Sequence, residues 1–149
     1  MDREPGVSRQ RLALLTYVRL MRAANTLRNF AARQLSDTDL TLTQFAVLEA
    51  LYHLGPTSLT EVARKILTTG GNLTMVVGNL EKQRLVSRTC SSEDARVYIL
   101  TLTAKGETLM RNIFPKHAAA LTQFFQVLDA REQKALAKLC CKLDATRSL

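Results

Sequence analysis

Residues 68–80 read TTGGNLTMVVGNL, and two adjacent glycines beside threonines are residue types that bind phosphate. A nucleotide-binding P-loop requires the pattern G-x-x-x-x-G-K-[ST] after a strand, because its lysine and hydroxyl contact the phosphates and the metal. Here the lysine is missing, and the preceding segment is a predicted helix. The sequence also lacks a G-x-G-x-x-G spacing, paired carboxylates, a Ser-His set and a metal-ligand cluster. We therefore predict no enzyme activity, no cofactor and no metal site.

The same stretch has the apolar spacing of a helix, predicted over residues 72–84, with Gly70 and Gly71 as the turn before it. At about 100° per residue, the apolar residues gather on one side, namely Leu73, Val76, Val77 and Leu80. The opposite side carries Gly71, Met75, Gly78 and Lys82, flanked by Asn72, Thr74 and Asn79. A face of small and hydrogen-bonding residues suits the major groove of DNA. The alternative is an ordinary solvated helix surface.

Candidate DNA contacts follow from side-chain chemistry. Asparagine pairs with an adenine edge, and apolar groups contact the thymine methyl. The candidates for base contact are therefore Asn72 and Asn79 for adenine, and Thr74 and Met75 for thymine. Hydroxyls, basic side chains and helix N-termini bind phosphate. The candidates for phosphate contact are Arg64, Lys65, Thr68 and Thr69; for the two basic residues, a solvent-facing charge is the equal alternative.

A second DNA-binding feature follows this helix. Residues 85–90 and 95–103 are β-branched and partly alternating, and the polar SSED between them predicts a two-stranded hairpin with a charged tip. An arginine at such a tip can enter an AT-rich minor groove, where a narrow width concentrates negative potential. Arg96 is the candidate, with Asp94 placed to hold its guanidinium, and Arg88 is a supporting contact. The alternative for Asp94 and Arg96 is a surface ion pair worth about 0–1 kcal/mol.

Helices on both sides must position this central block. Apolar spacing predicts a long amphipathic helix over residues 8–36 and a second helix over 44–53, with Thr43 as its N-cap. N-cap residues predict three further helices. Ser58 with Glu61 begins a helix that extends to about Leu67, and Asp129 with Glu132 begins the last helix. Thr103 begins a helix over residues 104–128, in which Pro115 can produce a kink. The fold class is mostly α with a small β-hairpin, a winged helix-turn-helix over residues 43–103 flanked by terminal helices.

Composition favours a polyanionic partner. The 149 residues carry a net charge of +8, and lysine and arginine displace the counterions condensed on nucleic-acid phosphates. No run of about 18 apolar residues and no signal-peptide core is present, so we predict a cytoplasmic protein without a membrane span. The three cysteines, Cys90, Cys140 and Cys141, have no C-x-x-C spacing. They therefore indicate neither a disulfide framework nor a zinc site.

The segment from LTLTQFAVLEALYHLG at residue 40 to ILTLTAKGETLM at residue 110 resembles the MarR family of bacterial transcriptional regulators. Its specific features are NLEKQRLVSR, the D-x-R of Asp94 and Arg96, and LTLTAKG. The resemblance implies a single MarR-like domain that forms a homodimer, with residues 8–36 and 104–147 as intertwined dimerisation helices. It also implies binding to a pseudo-palindromic double-stranded DNA operator, as a repressor or occasionally an activator.

The resemblance further implies that DNA is released on binding a small phenolic, quinone-like or other lipophilic effector, or on oxidation of a cysteine. Family pockets lie where the long helices meet the DNA-binding core, and the candidate ligand contacts there are Tyr17, Arg22, Tyr52 and His53. Cys90, near the hairpin tip, is the candidate redox residue. Hydroperoxide-sensing relatives place their cysteine in the N-terminal helix, where this chain has none. The alternatives to an effector-regulated repressor are a redox regulator using Cys90 and a non-specific architectural DNA-binding protein.

Overall fold

The computed structural model describes residues 8–66, 70–92, 94 and 96–145. Within these residues the chain is mostly helical, with a small three-stranded sheet. In chain order the elements are α1 (Arg9–Arg33), α2 (Leu42–Leu54), β1 (Thr57–Ser58), α3 (Leu59–Ile66), α4 (Gly70–Lys82), β2 (Val86–Cys90), β3 (Tyr98–Leu102), α5 (Ala104–Phe124), a 3-10 helix (Phe125–Val127) and α6 (Ala130–Asp144). This order agrees with the predicted mostly α fold and its hairpin.

The helix caps follow the sequence with one correction. The predicted N-cap of α2, Thr43, is wrong, because Thr41 caps this helix. The Thr41 hydroxyl accepts a hydrogen bond from the Gln44 N–H at 3.2 Å, and the Gln44 side chain accepts one from the Thr41 N–H at 2.8 Å. This capping box satisfies two free N–H groups at once. Hydrogen bonds confirm the other predicted caps, which are Ser58, Thr103 and Asp129.

The sheet has β3 at its centre, antiparallel to β1 on one side and to β2 on the other. β2 and β3 form the predicted hairpin, with Val86 opposite Leu102. β1 was not predicted. It contains two residues, Thr57 and Ser58, and it is defined by pairing with β3 far along the chain. This third strand joins the hairpin to the start of α3.

One hydrophobic core holds α2, α3, α4, α5 and the sheet together. Its fully buried side chains include Phe45, Leu48 and Leu51 from α2, Val62 from α3, Leu73, Val77 and Leu80 from α4, Leu100 from β3 and Met110 from α5. Burying one such side chain contributes about 1.5–3 kcal/mol. All four apolar residues predicted for the inner side of α4 are buried. The core therefore fixes α4 with its small and polar residues facing outward.

Helix α4 begins and ends two residues earlier than predicted. Gly70 and Gly71 lie inside its first turn and do not form a turn before it. At the other end, Arg84 has a φ of 58°, the left-handed conformation that commonly ends a helix. The predicted phosphate contacts Thr68 and Thr69 fall outside the described residues.

Helix α5 is continuous through Pro115, so the proline does not break it. It ends at Phe124, and the last part of the predicted helix 104–128 forms the 3-10 helix instead. Gln133 stabilises this turn, because its side-chain amide donates hydrogen bonds to the carbonyl oxygens of Phe125 at 3.1 Å and Leu128 at 2.9 Å. The turn reverses the chain and starts α6.

The two terminal helices expose apolar side chains in the single chain. Ala31 is the one residue of α1 that is buried, and α6 buries none. The exposed apolar residues are Leu12, Leu14, Leu15, Tyr17, Val18, Leu20 and Met21 on α1, and Leu136, Leu139 and Leu143 on α6. Large exposed apolar surfaces mark interaction sites in soluble proteins. These helices therefore have the surface that a partner would cover.

Candidate nucleic-acid interface

The outward face of α4 is the first part of the candidate interface. Met75 is 64% exposed, and Asn72, Thr74, Asn79 and Lys82 are exposed around it. Gly78 lies in the middle of this helix, and a Cβ atom built on it would meet, in the described part of the chain, no atom within 4 Å beyond the neighbouring backbone of its own helix. Packing inside the chain therefore does not require a glycine at this position.

The preceding helix, α3, presents its two basic residues to solvent in its last turn. Arg64 forms an ion pair with Glu61 one turn earlier, while Lys65 is exposed. An exposed ion pair of this kind contributes little to stability. Both side chains are therefore free to reorient towards a phosphate without a large cost.

The hairpin tip places Arg96 far out in solvent, with its side chain 91% exposed. Its Nε atom lies 3.2 Å from Asp94 Oδ1, and its Nη2 atom lies 3.4 Å from Asp94 Oδ2. The Arg96 backbone N–H donates a further hydrogen bond to Asp94 Oδ1 at 2.9 Å. The backbone N–H of Arg96 first, and its guanidinium second, lower the pKa of Asp94 below its ordinary value. Asp94 is thus ionised at neutral pH and holds the guanidinium of Arg96 through a bidentate pair.

Arg88 is exposed but forms two contacts within the chain that the sequence did not indicate. Its guanidinium lies 3.1 Å from the Glu81 carboxylate on α4 and stacks over the Tyr98 ring at 5.1 Å from the ring centre. The contact joins β2 to α4 and to β3. Glu81 and Tyr98 were not singled out in the sequence, because neither lies near Arg88 along the chain.

Comparison with known proteins identifies the family. Residues 40–98 match the MarR family. The HTH-type transcriptional regulator MhqR of Bacillus subtilis (strain 168) is 37% identical over 120 residues, which cover 80% of this chain and 83% of that protein. The chain belongs to the MarR family. The predicted family is therefore confirmed.

Solved structures agree with this assignment. The MarR family regulator Sco3205 of Streptomyces coelicolor, crystallised in complex with DNA, has a TM-score of 0.82 at 27% identity and covers 88% of each chain. BpsR of Bordetella bronchiseptica, whose DNA binding is regulated by 6-hydroxynicotinic acid, has a TM-score of 0.79 at 25% identity. The match covers 87% of this chain and 98% of the BpsR chain. The winged helix-turn-helix fold is confirmed, and this MarR-family chain is a DNA-binding transcriptional regulator rather than an enzyme.

Two surface cavities of this MarR-family chain are of a size to hold small molecules. A cleft of about 170 Å³ lies between the end of α2, β3 and α5, and Tyr52 lines it together with Thr101 and Arg111. An apolar cavity of about 660 Å³ lies between α1, the 3-10 helix and α6. Of the four predicted ligand contacts, Tyr52 alone lines either cavity.

The remaining predicted ligand contacts are dispersed. Tyr17 and Arg22 lie on the exposed surface of α1. His53 packs edge-on against Phe114 with ring centres 4.8 Å apart, and Tyr52 lies 5.8 Å from the same ring. An aromatic cluster of Tyr52, His53 and Phe114 therefore connects the end of α2 to α5. Phe114 was missed in the sequence because it lies far from the other two along the chain.

The three cysteines of the chain are exposed and free. Cys90 is the last residue of β2. The two arginines nearest to it in the hairpin, Arg88 and Arg96, are engaged with Glu81 and Asp94 respectively. Across the described residues, no group of three or more His, Cys, Asp or Glu side chains is arranged to hold a metal ion, and no helix has the length and hydropathy of a membrane span.

Replacing Gly78 with alanine is expected to stabilise the protein and weaken its DNA binding. Alanine favours a helix interior over glycine by about 1 kcal/mol, and among the described residues the added Cβ meets no atom within 4 Å beyond the neighbouring backbone of its own helix. The same methyl group stands on the face proposed to enter the groove, where losing one good base contact costs about 1–3 kcal/mol. Thermal unfolding and a mobility shift assay measure the two effects.

Asn112→Ala is the matched control for Gly78→Ala, because Asn112 is an exposed residue of α5 and its replacement also raises helix propensity. We expect this control to change stability without changing operator affinity. Unchanged affinity in Gly78→Ala would show that the backbone at Gly78 does not approach DNA closely.

His117 is expected to make the stability of the protein depend on acid pH. It is 7% exposed, its ring centre lies 4.5 Å from that of Phe45, and its Nδ1 atom is buried without a hydrogen-bond partner in the described structure. Burial lowers the pKa of His117 from its ordinary 6.5, and the nearby Glu49 carboxylate partly opposes this shift. A lowered folded-state pKa gives stability that is present above pH 6.5 and lost as pH falls through the folded value.

Chemical denaturation between about pH 8 and pH 5 tests this expectation for His117. The free energy of unfolding of wild type should fall as the pH is lowered, and His117→Phe should flatten this dependence. An equal decline in both proteins would assign the acid sensitivity to other groups.

Proposed function

We propose that this MarR-family protein is a homodimeric repressor that binds a pseudo-palindromic operator and releases it when a small phenolic or quinone-like lipophilic molecule binds. The observation that carries the proposal is the outward face of α4, whose small and polar residues stand beside a hairpin that ends in an exposed arginine. The outward face of α4 is suited to contact base edges in the major groove. The exposed arginine of the hairpin is suited to enter the minor groove.

The proposed DNA contacts divide by chemistry. Bases are contacted by residues of the outward α4 face, namely Gly71, Asn72, Thr74, Met75 and Asn79. Phosphates are contacted by basic and hydroxyl residues, namely Arg64, Lys65, Thr68, Thr69 and Lys82. Arg96 enters the minor groove with Asp94 as its support. Arg88, bound to Glu81 on α4, acts mainly by setting the position of the hairpin relative to the recognition helix.

The proposed homodimer is supported by the exposed apolar faces of α1 and α6. Leu15 is 44% exposed and Leu139 is 57% exposed in the single chain. A helix with a wide apolar stripe needs another surface to bury it. A twofold dimer covers the same surface on both copies, and it presents two α4 helices to two half-sites of a palindrome.

The proposed effector is supported by a relative and by the cavities. BpsR has its DNA binding regulated by 6-hydroxynicotinic acid, a small aromatic acid. A dry cavity of about 150 Å³ holds a benzene molecule, so the cleft of about 170 Å³ that Tyr52 lines has the volume for a single aromatic ring. Arg111 on its rim offers a guanidinium to a phenolate or carboxylate.

Selection of bound genomic fragments, followed by footprinting, tests this function. We expect protection of two inverted half-sites that overlap a promoter, lower transcription in the presence of the protein, and release of the fragment by phenols or quinones. Release by a peroxide that Cys90→Ala abolishes would instead identify the redox regulator. Binding of all fragments with equal, salt-dependent affinity would identify an architectural protein.

A further inference from the structure

Three hydrogen bonds join the turn that follows α4, residues 83–85, to Thr103 and Lys105 at the start of α5. The Gln83 carbonyl oxygen accepts one from Lys105 Nζ at 2.9 Å. The Arg84 carbonyl oxygen accepts one from the Thr103 hydroxyl at 2.7 Å, and the Leu85 carbonyl oxygen accepts one from the Thr103 backbone N–H at 3.1 Å. All three carbonyl groups belong to the turn after α4, so the hydrogen bonds from Thr103 and Lys105 hold that turn against the start of α5.

Gly106 brings the two helices closer than any other residue would permit. A Cβ atom on Gly106 would lie 2.1 Å from the Leu85 carbonyl oxygen and 3.1 Å from its carbonyl carbon. Both atoms belong to the backbone, so no side-chain rotation relieves the overlap. Gly106 is buried, which means that α5 rests directly on the backbone that follows α4.

The contact fixes an angle as well as a distance. Arg84 adopts a left-handed conformation with φ of 58°, and the Leu85 N–H donates to the Leu80 carbonyl oxygen at 2.9 Å. This six-to-one hydrogen bond is that of a Schellman motif, which fixes the direction in which the chain leaves a helix. The exit from α4 and the entry into α5 are therefore both set within a few residues.

We infer that Lys105 and Gly106 are positioning residues for DNA recognition, which hold α4 at a fixed angle to α5 so that the two recognition helices of a dimer match the spacing of the operator half-sites. The inference rests on the proposed function of α4. The 21 residues of α5 span about 31 Å and end at the 3-10 turn before α6, whose apolar face is proposed to meet the partner. A change of angle at the α4–α5 junction therefore moves the groove-reading face relative to the dimer axis.

Lys105→Met tests the hydrogen-bonding part of this inference, because methionine keeps a long apolar stem and loses the donor. We expect operator affinity to fall roughly tenfold, because binding must then order the angle between α4 and α5 that this hydrogen bond fixes in advance. The affinity for a shuffled duplex and the salt dependence of binding should stay unchanged. Lys105→Arg, which keeps a donor, should restore the affinity.

The salt dependence separates positioning from direct contact. A lysine that binds a phosphate lowers the slope of log affinity against log salt by about one when it is removed. A lower slope in Lys105→Met, or an affinity within twofold of wild type, would overturn the inference. Lys116→Met, at an exposed lysine later on the same helix, controls for the loss of one positive charge.

Gly106→Ala tests the spacing part on operators whose half-sites are moved apart or together by single base pairs. We expect the variant to remain a dimer by ultracentrifugation, to bind the natural spacing at least tenfold more weakly, and to shift its preferred spacing. Unchanged affinity with unchanged preferred spacing would contradict the inference. If the variant does not fold, Lys105→Met and Lys105→Arg decide the question alone.

Arg96→Ala, measured beside these variants, separates failure of this inference from failure of the proposed function. If Arg96→Ala weakens operator binding and Lys105→Met does not, the junction has no positioning role and the function stands. If the wild-type protein binds no duplex more tightly than a shuffled duplex, the proposed function and this inference both fail.

Discussion

Arg96→Ala is expected to weaken operator binding more than tenfold while the protein remains folded and dimeric. The Arg96 side chain is 91% exposed, and its guanidinium forms an ion pair with Asp94. An exposed ion pair of this kind contributes about 0–1 kcal/mol to stability, so its loss hardly affects folding. A guanidinium in a narrow minor groove lies in a strongly negative potential. Removing the Arg96 guanidinium is therefore expected to weaken DNA binding with little effect on stability.

A mobility shift assay at fixed salt, with thermal unfolding alongside, measures both effects of Arg96→Ala. Arg111→Ala, measured in the absence of any effector, is the matched control, because Arg111 is also an exposed arginine in an ion pair, with Glu107 on α5. The control loses the same charge but leaves the hairpin intact. Near wild-type binding by Arg96→Ala would refute the role of the hairpin in DNA binding.

Leu139→Asp is expected to convert the dimer into monomers and to abolish operator binding at concentrations where wild type binds fully. Leu139 is 57% exposed in the single chain and lies on the same side of α6 as Leu136 and Leu143. Burying a carboxylate without a partner in an apolar interface costs several kcal/mol. A cost of 4 kcal/mol corresponds to a weakening of about a thousandfold.

Analytical ultracentrifugation at micromolar concentration measures this dissociation. Lys134→Ala changes the net charge of α6 by the same amount on the opposite side of the helix, and we expect it to remain dimeric. If Leu139→Asp sediments as a dimer, α6 does not form the interface. If wild type itself sediments as a monomer, the homodimer is wrong.

Local features of the sequence predicted the helices and three of the four N-caps. The apolar spacing of Leu73, Val76, Val77 and Leu80 was enough to orient α4, because burial of a helix stripe is set by its own periodicity. The N-cap of α2 was misplaced, although Thr41 and Gln44 have the spacing of a capping box. Residue type alone does not distinguish Thr41 from Thr43, but Thr41 has a glutamine three residues later and Thr43 does not.

Features that depend on distant residues were not predictable. β1 has two residues and is defined by its pairing with β3. The bonds from Thr103 and Lys105 to the end of α4 join residues 19 and 22 positions apart, and no periodicity in either segment indicates them. The residues predicted to contact a ligand do not lie together for the same reason. A pocket is lined by residues from several elements, and the sequence does not show how those elements are placed relative to one another.

Selection of duplexes from a random pool by the purified protein tests the central claim most directly. The proposed mode of binding, with two α4 helices in successive major grooves, predicts one enriched motif of two inverted half-sites whose centres are about 10 base pairs apart. It also predicts AT-rich flanks where Arg96 meets the minor groove. A pool that remains random after several rounds, although the duplexes are bound, would contradict sequence-specific recognition by α4.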